Sequence, residues 1–230
     1  MNISKDAFSS FLRKVSVKGR VSEAVIEADG TVTISSENEL IVVGKSDAIK
    51  FDTRVGVKNI GLIAKVSADI AAADLAITLE DVNIKLATSD EKFEFRCADP
   101  ATVESLCSDR EKIISIKEKL EGVKLEDFII KRIRKAVSNL NADRISLFAD
   151  AGRLFAVVMD TTTESKATVD ICGYKGAEFK HDFNAKIIDD VLDVAGDSGA
   201  MLYAGNKSAL FVEMISKDFL YMISYIEGGE

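Results

Sequence analysis

The segment GDSGAMLYAGNKS, residues 196–208, carries glycine spacing that invites comparison with a phosphate-binding loop. That motif requires Lys directly after its second Gly, and Asn206 stands there instead. A strand-turn-strand is the expectation. His181 is the single histidine, which excludes a multi-His metal site and weakens any Ser-His or Cys-His nucleophile scheme; an exposed loop position is expected for it. Cys97, Cys107 and Cys172 are odd in number and widely separated, so they read as buried reduced thiols. Carboxylate neighbours such as Glu80 with Asp81 and Asp189 with Asp190 point apart on a strand or helix and solvate a surface. No catalytic residue, metal ligand or cofactor site is nominated.

Positive charge is the stronger signal. In FIIKRIRKAVSNL, residues 128–140, an advance of about 100° per residue groups Leu125, Ile129, Ile133, Ala136 and Leu140. Lys131, Arg134, Lys135 and Ser138 gather opposite. DAFSSFLRKVS places Phe8, Phe11, Leu12 and Val15 on one helical face, with Arg13 and Lys14 elsewhere. KNIGLIAKVS sets Lys58 and Lys65 against Leu62, Ile63 and Val66. A fourth helix, NAKIIDDVLDVAGD, buries Ile187, Ile188, Val191 and Leu192 and exposes Lys186 beside Asp189, Asp190 and Asp193. The whole chain has a formal net charge of −8, so basic helices imply acidic sheets and loops, as suits a protein that meets a polyanion with one surface. Few aromatics accompany the basic residues, which argues against stacking on single-stranded bases.

The elements that must position these side chains occur twice. The helix at residues 6–16 is repeated 121 positions later: Asp6 matches Asp127, Phe8 Ile129, Leu12 Ile133, Arg13 Arg134 and Lys14 Lys135. Later segments match at an offset of 126, pairing Leu62 with Ile188, Val66 with Leu192, Leu75 with Met201 and Ile77 with Tyr203. Alternating strands surround the helices: SEAVIEA, TVTISSE, ELIVVGK, DLAITLE, VNIKLAT and KFEFRC, then RISLFAD, RLFAVVMD, ATVDICGY, AMLYAG, ALFVEMI and FLYMISYI. The fold class is therefore α+β: two similar domains, each with two helices packed on antiparallel sheets. The first spans 1–108 and the second 109–230, with a connector at about 99–119. No apolar run is long enough to span a bilayer, and MNISKDAF lacks the order of a signal peptide, so a cytoplasmic place and no membrane partner are expected.

SKDAFSSFLRKVS and ADPATV, together with the length, the duplication and the basic helices, give a chain that resembles the sliding clamps of DNA replication, of T-even bacteriophage type with a PCNA-like, duplicated DNA-clamp fold. The similarity covers essentially the whole chain. It implies a non-catalytic processivity factor, a homotrimer closed head to tail into a ring that encircles double-stranded DNA and tethers the DNA polymerase. A clamp loader would open it, other replication or transcription proteins would dock on it, and the host cytoplasm would be its location.

On that resemblance Arg13, Lys14, Lys58, Lys65, Lys131, Arg134, Lys135 and Lys186 face DNA. Leu106, Ile113, Leu220, Tyr221 and Ile226 line a site for apolar peptide tails beside the connector. Strand KFEFRC, residues 92–97, pairs with TVDICGY, residues 169–174, of the next copy. The alternative is a DNA-binding module that grips one side of a duplex without forming a ring.

Overall fold

In the computed structural model, residues 4–36, 39–71, 76–80, 82–103, 109–196, 199–205 and 209–226 are described. The chain forms two compact units, Met1–Ser36 with Val42–Arg110 and Glu37–Ile41 with Glu111–Glu230.

Unit 1 opens with helix α1, Lys5–Ser16. The Ser4 side chain accepts from the Ala7 N–H and caps its start, and Val17 ends it in the left-handed region at φ 42°. Its buried stripe is Phe8, Phe11, Leu12 and Val15, as the spacing predicts. Strands β1 (Glu23–Ile26), β2 (Thr31–Ser36), β3 (Leu40–Lys45) and β4 (Val55–Lys58) follow, then helix α2 (Ile60–Asp69) and strands β5 (Ala76–Glu80), β6 (Asn83–Ala87) and β7 (Lys92–Arg96). β1 pairs antiparallel with β4, and β5-β6-β7 form an antiparallel meander. α1 and α2 are joined by the Ser9 hydroxyl donating to Ala64 O at 3.2 Å and by the Lys5 ammonium on Ile70 O, where a cation meets the carbonyl end of α2.

Unit 2 repeats this plan behind an extra helix. After α3 (Arg110–Lys117) come β8 (Glu121–Leu125), α4 (Asp127–Leu140), β9 (Arg144–Asp150), β10 (Arg153–Asp160), β11 (Ser165–Gly173), β12 (Phe179–Asn184), α5 (Ala185–Gly196), β13 (Ala200–Ala204), β14 (Ala209–Met214) and β15 (Phe219–Ser224). Its sheets run β11-β10-β9-β12 and β15-β14-β13-β8, all antiparallel. Helices α4 and α5 pack together, and each also contacts the strands of its own unit.

The duplication is visible in turns as well as in elements. Asp29 and Gly30 make the turn from β1 to β2, with Gly30 at φ 79°, where a Cβ would lie 2.1 Å from Ile49 O. Asp150, Ala151 and Gly152 close β9–β10, the last two at φ 47° and 75°. The expected offset of 126 fails at the second helices, however. Leu62 is 52% exposed, whereas Ile188 is buried. Shifting by one residue aligns Asn59 with Asn184 ahead of each helix and pairs Ile63 with Ile188, both buried. The buried set of α2 is thus Ile60, Ile63, Ala64 and Ser67.

Four elements escape the strand and helix patterns of the sequence: α3, β4, β8 and β12. β4 and β8 are short and each contains a glycine, and β12 (FKHDFN) mixes buried aromatics with charge. His181 is accordingly not an exposed loop residue. It is half-buried on β12, its ring 5.7 Å from Phe179 and 5.6 Å from Tyr225.

A largely buried polar cluster ties α3 to the β15-β14-β13-β8 sheet of unit 2. Lys117 Nζ lies 2.7 Å from Glu213 Oε1 on β14, and Tyr203 on β13 donates its hydroxyl to Oε2 at 2.8 Å. The same ammonium stands 5.0 Å above the Tyr203 ring. Burial first, and then the Glu213 carboxylate, push the Tyr203 phenol up to about 12 from 10.0. A folded-state value above the unfolded one means that the neutral hydroxyl contributes stability in full below pH 10.0 and that this is lost as pH rises through about 12. Ultraviolet titration is expected to show a late tyrosine ionisation that Tyr203→Phe removes; an unchanged curve in that variant would refute the assignment.

Candidate nucleic-acid interface

α4 is built to show charge on one side. Ile129, Ile130, Ile133 and Val137 form its buried stripe, and Lys131, Arg132 and Lys135 are exposed. The expected apolar set differs at its ends: Leu125 is buried but belongs to β8, and Ala136 and Leu140 are only half-buried. Arg132 is not among the nominated cations: an advance of about 100° per residue sets it at the flank of the polar face, yet its side chain is exposed. Asp127 in the first turn complements the positive end of the helix and lies one turn from Lys131.

Arg134 behaves differently from its lysine neighbours. Its Nε stands 3.0 Å from Asp189 Oδ1 and its Nη2 2.5 Å from Asp193 Oδ1, both on α5, and all three side chains are half-buried. The acidic character of α5 therefore has a local use: two of its aspartates, one turn apart, engage a guanidinium from the neighbouring helix. Lys186 is exposed at the start of α5, where Asn184 Oδ1 accepts from the Lys186 N–H at 3.0 Å.

In unit 1, Arg13 is exposed and Lys14 half-buried in the last turn of α1, where cations also suit the helix dipole. Lys65 is exposed on α2. Lys58 is exposed too, but it ends β4 and precedes the helix on which the spacing placed it. It lines a cleft of about 520 Å³ with Glu94, Arg96 and Asp99. The eight nominated cations therefore comprise one strand residue, Lys58, and seven on helices with exposed or half-buried side chains, among them Arg134.

The apolar nominations are dispersed. Ile113 is buried on α3, Leu220 is 5% exposed and Tyr221 0% exposed, so these three belong to the core of unit 2. Leu106 lies outside the described residues. Ile226, 38% exposed, presents surface, and its N–H donates to Asp182 O at 2.7 Å. The largest exposures of apolar side chains in unit 2 lie elsewhere among the described residues: Phe128 at 59% and Ile215, which share a cleft with Lys124 and Lys131.

Cys97 and Cys172 are unbridged as expected but half-buried rather than buried, and partial burial pushes both thiols up; Cys107 lies outside the described residues. Among the described residues no group of three metal-ligating side chains converges. Asp189 is half-buried against Arg134, while Asp81 and the Glu80 side chain lie outside what is described. Among the described residues no helix is long and apolar enough to cross a membrane.

No family model and no curated protein matches the sequence. Solved structures do match, along almost the whole chain. A putative DNA polymerase III beta subunit from Eubacterium rectale superposes with a TM-score of 0.73 at 16% identity, over 99% of this chain and 65% of that one. The chain thus spans slightly under two thirds of that subunit. The PCNA2-PCNA3 complex from Sulfolobus tokodaii gives 0.71 at 14% identity, covering 98% of this chain and 99% of its counterpart. PCNA of A. fulgidus bound to the C-terminal region of FEN-1 gives 0.71 at 13% identity, over 99% and 98% of the two chains. At these identities the likeness establishes the fold.

Proposed function

We propose, on the duplicated DNA-clamp fold that this chain has, that it works as a sliding clamp: a ring that encloses duplex DNA and tethers a replicative polymerase without catalysing a reaction itself. The observation that carries the reading is the near end-to-end match to PCNA chains, 98–99% of their length, by a chain whose helices display lysine and arginine. Lys131, Lys135, Lys65 and Arg13 supply positive charge at exposed helix surfaces. Such contacts neutralise phosphates without reading base edges, which lets a closed ring translate along any sequence.

A homotrimer is the proposed assembly. β7 ends the β5-β6-β7 sheet and β11 ends the β11-β10-β9-β12 sheet, so each unit offers a strand edge for a head-to-tail joint between copies. A cytoplasmic setting, a loader that opens the ring, other docking proteins and kinship with the T-even phage clamps complete the reading, supported by the sequence resemblance described above.

A topological experiment tests it. Protein assembled on nicked circular duplex is expected to stay bound through gel filtration at moderate salt and to be released when the circle is cut. Retention on the cut DNA would favour a module that grips one side of the duplex and would sink the clamp.

A further inference from the structure

Arg134 stands on α4 between Lys131 and Lys135, yet its guanidinium is turned to α5. Nε and Nη2 are engaged by carboxylates one helical turn apart, at 3.0 Å and 2.5 Å. We propose that Asp189 and Asp193 compete with phosphate for Arg134, holding it out of DNA contact and so limiting how tightly unit 2 grips a duplex. The proposal rests on the clamp reading above.

The chemistry is that of one planar fork with two kinds of anion available. Carboxylate and phosphate oxygens both match the guanidinium donors, so a phosphate gains full contact only by displacing an aspartate. Two carboxylates facing one guanidinium leave the cluster with net negative charge, which opposes the approach of a phosphate within about a Debye length of ~8–10 Å. Lys131 and Lys135 lack such restraint and are exposed. Their ammonium groups act as hydrated point charges on flexible stems, which make and break phosphate contacts without fixed geometry. An arginine held in reserve thus leaves the sliding surface to the residues whose contacts are least directional. Asp189 and Asp193 are positioning residues in this scheme: they act through Arg134 and touch no nucleic acid.

The test is fluorescence anisotropy of a dye-labelled duplex across roughly 50–200 mM salt. Four proteins are compared: wild type, Asp189→Asn/Asp193→Asn, that pair with Arg134→Gln added, and a charge-matched control, Asp47→Asn/Asp52→Asn, on exposed residues of unit 1. The α5 double variant is expected to bind about tenfold tighter, the gain of one charge-assisted hydrogen bond. Its plot of log affinity against log salt should steepen by about 0.9, one phosphate more. Adding Arg134→Gln should return the slope to the wild-type value, and the control should leave it unchanged. Asp193→Asn alone should move affinity the same way by less, which serves if circular dichroism shows the double variant misfolded. A gain matched by the control, or one that survives Arg134→Gln, would overturn the proposal while leaving lysine-dependent binding and the clamp reading intact. Wild-type protein with no salt-dependent duplex binding would defeat this inference, because there would be no grip to limit, while the clamp reading would stand or fall on retention by circular duplex alone.

Discussion

Replacing Glu213 with alanine is expected to destabilise unit 2 by about 3–5 kcal/mol, because it leaves a buried cation without its partner. Lys117 and Glu213 have side chains only 13% and 10% exposed, and the carboxylate binds both the ammonium and the Tyr203 hydroxyl. Truncation removes both bonds at once and hydrates neither donor. A domain is held by about 5–15 kcal/mol in total, so the loss would take a large share. Tyr203→Phe should cost only about 1 kcal/mol, the net worth of a neutral donor's hydrogen bond. Amide hydrogen exchange along β14 resolves the effect within unit 2, where a single melting curve for a two-unit chain would blur it. A loss below about 1 kcal/mol in Glu213→Ala would show that water or a shifted lysine replaces the pair, contrary to the burial observed.

Charge reversal on α4 should have the opposite profile, a small effect on folding and a large one on DNA. Lys131→Glu with Lys135→Glu changes two exposed residues outside the buried stripe, so stability should move by less than about 1 kcal/mol. Retention on circular duplex should collapse, since every copy in a ring would turn an attractive surface into a repulsive one. Residual wild-type binding should weaken as salt rises. The choice of residues matters. Reversing Arg134 instead would set a glutamate against Asp189 and Asp193 and confound folding with binding. Normal processive synthesis by the double lysine variant at low and moderate salt would reduce the basic stripe to solvated surface.

Much of the architecture was legible because it rests on periodicity. The stripe Phe8, Phe11, Leu12 and Val15 follows from spacing alone, and so do most strands that alternate cleanly. β4, β8 and β12 were not legible, since a four-residue strand with a central glycine, or one that alternates aromatics with His and Asp, has no pattern distinct from a loop. The one-residue shift between α2 and α5 was hidden for a related reason: Leu62 is apolar and exposed, so a match of residue types gave the wrong register. At the candidate interface the sequence located the cations but not their company. Arg134 lies 55 residues from Asp189, and nothing local distinguishes a guanidinium held by another helix from a lysine left in water. Tyr221 shows the same limit among apolar residues, as hydrophobicity alone does not separate a docking surface from a core.

The edge strand β7 behaves as a parity check. Lys92, Glu94 and Arg96 project to one side and are exposed, while the half-buried Phe93 and Phe95 take the other. Glu94 is bracketed by Lys92 at 2.8 Å and Lys85 at 3.7 Å, so the charged side carries its own internal order. Another strand laid along this edge meets alternating charge and aromatic surface, and a slip of one residue swaps every match for a mismatch. Substitutions alter one symbol in such a code; an inserted residue inverts all that follow. β7 should therefore drift in composition over generations far more easily than it changes length.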